Sequence, residues 1–368
     1  MKSRTPINRF NFLRFHGTNG ESENTFAPYN KDDFSIYVQG MTVKINADFY
    51  YKEAHIYQGN SELTMTLRSV LDYGLDYTYS LDSYYLTPFF KAVIIKEDGT
   101  RLESEAIQRT SNFNISSLVP ENAIVGKFTG AGNNNEQVRF NEDGTKFFYQ
   151  SGTQEISAGY LKTPYVLSDS QVITSAESLD VSSEETSSLT GFTFSPNGRY
   201  LFIIGTTAYV HRYTLSTPWN LNTATYDVQF DLSTEESTPE GIQLTPDGRI
   251  MYIIGSGGDK INQYSIPTNW DVSSAVAALV LDTSSQDTIP QGLFIRPDYK
   301  KVFVLGRQGS AIDVYTSDTA FAIDGFSFSE SIDVSGLSGT LQGINFSPDG
   351  RYLYISVNSS NITYTIEI

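Results

Sequence analysis

The chain contains no cysteine, so disulfide staples and thiolate metal sites are unavailable to it. Its three histidines, His16, His55 and His211, are dispersed along 368 residues and do not form the cluster that a histidine-ligated metal requires. No run approaches the roughly 18 apolar residues of a membrane-crossing helix. Neither a Gly-x-Ser-x-Gly nucleophile turn nor a Gly-Lys-Ser/Thr phosphate loop is present. Basic residues are scarce: 25 Lys and Arg face 42 Asp and Glu, for a net charge of −17. That balance argues against nucleic acid and anionic membrane surfaces as partners, since both reward Lys and Arg.

The deficit is uneven. Residues 1–120 carry 12 basic and 14 acidic groups, whereas residues 121–368 carry 13 and 28. An acidic surface of this kind serves solubility first. It also rejects anions and suits Ca²⁺, although no Ca²⁺-loop motif is present, so no cofactor is expected. The first 14 residues are basic but lack the apolar run of a secretory signal. The composition is nevertheless that of an exposed protein: rich in Thr, Ser, Asn and Tyr, poor in Lys. A virion protein, made in the cytoplasm and released by lysis, satisfies both conditions.

What the sequence does have is a recurring phrase. It reads Phe194-Ser195-Pro196-Asn197-Gly198-Arg199-Tyr200, then Leu244-Thr245-Pro246-Asp247-Gly248-Arg249-Ile250, then Phe346-Ser347-Pro348-Asp349-Gly350-Arg351-Tyr352. Weaker copies centre on Asp143-Gly144 and Asp298-Tyr299. Each is a tight turn between alternating apolar runs, with glycine supplying the positive φ. The turn positions Gly144, Gly198, Gly248, Tyr299 and Gly350 are spaced by 54, 50, 51 and 51 residues. A period near 50 without helical patterning predicts a β-propeller with four strands per blade. Tyr299 stands where glycine is expected, which predicts a different turn type there.

The last unit ends at Ile368 on a third strand, and 123–128 precedes the first unit with no blade of its own. The N-terminal strand is therefore expected to complete the last blade and close a five-bladed ring over 122–368. Upstream, 1–30 reads as an arm, 31–112 as a small β-sandwich for virion attachment or oligomerisation, and 113–121 as a linker. The expected fold is all-β throughout. The segment 83–105, a Tyr-rich strand, a Glu-Asp-Gly turn and a returning strand, resembles the last hairpin of a fibronectin type III domain. The Ser-Pro-Asp-Gly repeats resemble the YVTN and lactonase-like group of propellers, whose members include enzymes, lectins and scaffolds; the resemblance implies the fold, and function must come from a site.

Three register-matched sets are candidates. Asp180, Asp231, Asp282 and Asp333 end the fourth strands at 51-residue steps. Capping of the loop to the next blade explains such a set better than catalysis, which does not need equivalent copies. Tyr165, Trp219, Trp270 and Phe321 lie between third and fourth strands, either as wedges between blades or as faces on which sugars stack. Glu136, Thr190, Glu240, Gln291 and Gln342 precede the innermost strands and should converge at one channel mouth, as solvated polar groups or as a seat for a cation or sugar hydroxyls. The loops around Glu184-Glu185 and Glu235-Glu236 are expected on the same face, solvated.

The function expected is that of a non-enzymatic bacteriophage structural protein, a tail or spike component. Residues 1–120 would hold other virion proteins. The propeller, present in several copies, would bind a host-surface glycan or receptor. A bacterial lectin or adhesin is one alternative, and a propeller hydrolase, lactonase or glycosidase, is another; for a glycosidase a pair of carboxylates would suffice.

Overall fold

The computed structural model describes residues 113–129 and 137–368, apart from Asn114, Ser117, Asp349, Ser359 and Ser360, together with the backbone of nine strands between residues 27 and 108. Those nine strands fall into two antiparallel sheets. The first strand, Ala27–Tyr29, pairs with Phe34–Gln39 and so begins within the stretch read as an arm. How the two sheets pack, on which the fibronectin-like reading turns, lies outside the described residues.

From Ile124 onward the chain forms five four-stranded antiparallel sheets arranged as the blades of a propeller. Blade three shows the plan: Pro239–Leu244, Ile250–Gly255, Lys260–Ser265 and Val276–Asp282, running from channel to rim. The second strand is buried along almost its whole length, because blades cover both its faces; it is correspondingly a continuous apolar run, Ile250-Met251-Tyr252-Ile253-Ile254. The fourth is largely exposed. Apolar clusters lie between successive blades, so each interface is a small core of its own.

The repeated phrase builds the turn between first and second strands. The Thr245 hydroxyl accepts from Ile250 N at 3.0 Å and donates to Asp247 Oδ1 at 2.7 Å. Asp247 Oδ1 also accepts from Arg249 N at 3.1 Å. Gly248, at φ 66°, donates its N–H to Thr245 O. Ser195, Asn197 and Gly198 repeat the arrangement in blade two. Hydroxyl, Asx group and glycine thus each have a bonding role, which is why the phrase recurs.

The ring closes as the sequence predicts. Ile124–Thr129 pairs antiparallel with Ile362–Glu367 and becomes the outermost strand of blade five. Asn345 Nδ2 bonds Val138 O at 3.1 Å across the same seam, nearer the axis.

Two expectations need correction. Phe113 and Ile115, within the stretch read as a linker, are buried with blades four and five, and Pro120–Asn122 forms a 3₁₀ turn leading into the closing strand. The turn at Tyr299 keeps the common type, with φ 57° and its N–H on Arg296 O at 2.8 Å, as glycine does elsewhere. Left-handed backbone costs a non-glycine residue about 1–2 kcal/mol. Full burial of the Tyr299 ring, stacked on Phe321 with centroids 4.4 Å apart, offsets this.

Candidate functional site

Counting back from each turn glycine places equivalent side chains around the channel. Eight residues before lie Glu136, Thr190, Glu240, Gln291 and Gln342; Glu136 falls outside the described residues. Thr190 Oγ1 donates to Pro239 O at 2.6 Å, tying blade two to blade three. Glu240 is largely enclosed and accepts a hydrogen bond from Gln291; burial pushes its carboxyl up to about 7, an effect reinforced by Glu236 and opposed by Gln291 and Arg307. Glu240 and Gln291 thus meet near the start of the innermost strands of blades three and four.

Seven residues before the glycines, four blades have Gly191, Gly241, Gly292 and Gly343, but blade one has Gln137. Its side chain runs into the channel. Nε2 donates to Glu240 O at 3.1 Å, and Oε1 accepts from Arg139 Nη2 at 2.8 Å. A Cβ on Gly191 would press against that amide, so the side chain occupies space that glycine leaves open. Gln137 therefore ties blade one to blade three and fills the space left beside Gly191.

Five residues before the glycines lie Arg139, Thr193, Gln243, Phe294 and Asn345. They line a cavity of about 130 Å³ to which all five blades contribute, walled also by Phe194, Phe346, Pro196, Pro297 and Pro348. Gln243 spends its amide on blade four, donating to Ile295 O at 3.1 Å and accepting from Ile295 N at 2.9 Å. Asn345 binds blade one through the seam bond described above. Among the described residues Arg139 has no such anchor on another blade: Nη1 donates to Val138 O at 2.9 Å and Nη2 to Gln137, both immediately before it in the chain. Protein surrounds the guanidinium while the cavity keeps it in reach of solvent. Burial lowers its pKa to about 10.

The aromatic set is a set of wedges. Trp219 and Trp270 lie against Gly198 and Gly248 so closely that an added Cβ would fall within the indole. The preceding blade covers them as well: Phe148 stacks on Trp219 at 5.9 Å and Tyr200 on Trp270 at 6.0 Å, while Phe194, from the same blade as Trp219, meets that ring at 5.1 Å. Tyr165, Trp219, Trp270 and Phe321 all have φ between 61° and 68°, a strained conformation for bulky residues that marks a strong packing requirement. With these neighbours on their faces, the rings are not open platforms for sugars, although Trp219 also borders the cavity. Phe113 takes the equivalent place over Gly350.

The preceding blade also bonds the carbonyl of each wedge. Lys146 Nζ donates to Trp219 O at 2.6 Å, Arg212 Nη1 to Trp270 O at 2.7 Å, Tyr252 Oη to Phe321 O at 3.3 Å and Tyr354 Oη to Tyr165 O at 2.6 Å. Four residues thus perform one task. Tyr252 and Tyr354 share one register, four residues after their turn glycines, whereas Lys146 and Arg212 stand at other positions, so the repeat encodes the task only in part.

Asp180, Asp231, Asp282 and Asp333 cap as expected, each accepting from the backbone N–H two residues on at 2.8–2.9 Å. These bonds hold the carboxyls below the usual range, led by the Ser182 backbone N–H for Asp180 and by the serine hydroxyls for the others. The nearby acidic loops depart from expectation. Glu185, Glu236 and Asp287 are 0%, 1% and 2% exposed. Each ties the loop entering a blade to that blade's next hairpin. Glu236 accepts from Thr238 N and Gly257 N at 2.9 and 2.8 Å; Asp287 accepts from Ile289 N and Gly309 N at 2.6 and 2.8 Å. Glu185 accepts from Ser187 N at 3.1 Å and from the Thr207 hydroxyl. The sequence signal for their burial is register: all three lie five residues after a capping aspartate.

His211 is buried on the third strand of blade two, and burial lowers its pKa. Among the described residues no group of three His, Asp or Glu is placed to hold a metal ion.

No protein-family model matches the chain, and no curated protein matches it. Among solved structures it is similar to a Bacteroides uniformis protein assigned provisionally as a 6-phosphogluconolactonase, with 13% identity, TM-score 0.41, and 86% and 92% of the two chains covered. It is also similar to a chain of a mitotic checkpoint complex, with 12% identity, TM-score 0.39 and 99% of each chain covered.

Proposed function

We propose that the chain is a non-enzymatic structural protein of a bacteriophage virion, a tail or spike component that displays its propeller to a host-surface glycan or receptor. The observation that carries this reading is the cavity at the turn end of the channel. It is built by all five blades and mixes an arginine with phenylalanine and proline walls, the combination by which a small pocket orients and desolvates a polar ligand. The rigid, closed ring suits display, and several copies on a particle would raise avidity without one tight site. The N-terminal strands would serve as the attachment module, and the acidic, serine- and threonine-rich composition suits exposure outside a cell. Immunogold microscopy tests the reading: antibody to the propeller labels a tail or tip, and purified chain binds members of a glycan array without cleaving them. Unlabelled particles, or a gene set among metabolic genes, would contradict it.

Glu240 favours a second reading, a propeller hydrolase. A carboxyl titrating near 7 is suited to general acid–base work. Turnover of a lactone or polysaccharide, abolished by Glu240→Gln, would support that reading.

A further inference from the structure

Arg139 is the one basic residue among the cavity-lining side chains. Its guanidinium bonds go to a backbone carbonyl and an amide oxygen, both uncharged. Among the described residues no carboxylate pairs with it, in a chain that carries 42 Asp and Glu. A guanidinium has five N–H donors, and these bonds leave part of the fork for another acceptor. Holding an uncompensated charge among protein groups is costly, because the attraction that would repay its lost hydration is missing. Here the charge borders a cavity of about 130 Å³, walled in part by Phe294 and Phe346. A dry cavity of roughly 150 Å³ takes a benzene-sized ligand, so the space suits one ring or the end of a longer chain.

We propose that this cavity seats the carboxylate of an acidic saccharide, with Arg139 as its counter-charge. The proposal rests on the glycan-binding reading and narrows it to a ligand class. A single planar fork matches a carboxylate bidentately. A phosphate dianion would call for further cations, which the cavity lining lacks, and the net charge of −17 opposes a second negative charge more strongly than a first. The apolar walls exclude water and strengthen the pairing, while the Thr193 side chain offers a hydroxyl to ring oxygens.

The test is calorimetry and ligand-observed NMR on the full chain, with glucuronate, glucose, acetate and inorganic phosphate as probes. Glucuronate is expected to bind at least tenfold more tightly than glucose, and Arg139→Gln to weaken it at least tenfold. Equal affinity for glucuronate and glucose, tighter binding of phosphate, or full retention of glucuronate by Arg139→Gln would overturn the proposal. If that variant does not fold, competition on the unaltered chain decides: acetate must displace glucuronate, and failure to do so is an overturning result. Neutral saccharides that bind and survive Arg139→Gln would defeat the proposal while leaving the glycan reading intact. Acetate binding with no saccharide binding would instead defeat the glycan reading and the saccharide assignment with it, leaving only an anion seat.

Discussion

The Tyr354 hydroxyl donates a 2.6 Å hydrogen bond to the Tyr165 carbonyl, joining blade five to blade one, 189 residues apart in sequence. It is the seam version of a bond made across three other blade interfaces. Tyr354→Phe removes this buried hydrogen bond, at a cost of ~0.5–1.5 kcal/mol. A melting temperature lower by several degrees in calorimetry is the expected outcome; an unchanged melt would mean that the seam does not limit stability.

The wedge assignment separates packing from binding. Trp270→Ala removes a ring lodged between Gly248 and Tyr200. It is expected to cost about 3 kcal/mol, toward the lower end for large-to-small changes because the residue is half-buried. Saccharide affinity of the folded fraction should not change. Denaturant titration and calorimetry on the same sample check both halves, and lost binding with unchanged stability would restore the sugar-platform reading.

Phe113 belongs to the ring, so Phe113→Ala should destabilise the propeller by roughly 3 kcal/mol. A truncated chain beginning at residue 118 should melt lower than one beginning at 113. Identical melts would return this stretch to the status of a linker.

Glu240 gives a pH signature. Its folded pKa, about 7, lies above the ordinary carboxylate value, so the fold holds a proton that the unfolded chain releases. Stability is therefore greatest below the unfolded value and falls as pH rises toward about 7, by up to about 3 kcal/mol. Glu240→Gln should match the parent near pH 4 and exceed it at pH 8. Urea melts at both values check this, and equal stability at pH 8 would contradict it.

Much of the architecture is legible in the sequence because the turn phrase carries its own bonding. Ser195, Asn197 and Gly198 each supply a bond or a backbone conformation of the turn, and blade three repeats all three roles with Thr245, Asp247 and Gly248. The closing strand follows from counting. What escapes a sequence reading is whatever the repeat does not encode. Phe113 sits outside the register of the other wedges, since the chain termini interrupt that blade. Tyr299 adopts a glycine conformation because burial outweighs strain, which no local pattern reveals. Glu185 and Glu236 look solvated in serine-rich loops, yet backbone N–H groups draw them inside. The channel set that begins at Glu136 lies too far from the turn to reach the cavity. Arg139 is three residues further along the innermost strand, at a position where the other blades carry no charge.

The central claim is that specificity lies in the channel cavity and not in the blade wedges. The most direct measurement is a glycan array probed with the parent chain, Arg139→Gln and Trp270→Phe, each verified as folded. The account predicts signal on acidic glycans for the parent and Trp270→Phe, lost in Arg139→Gln. Signal retained by Arg139→Gln and lost in Trp270→Phe would contradict it.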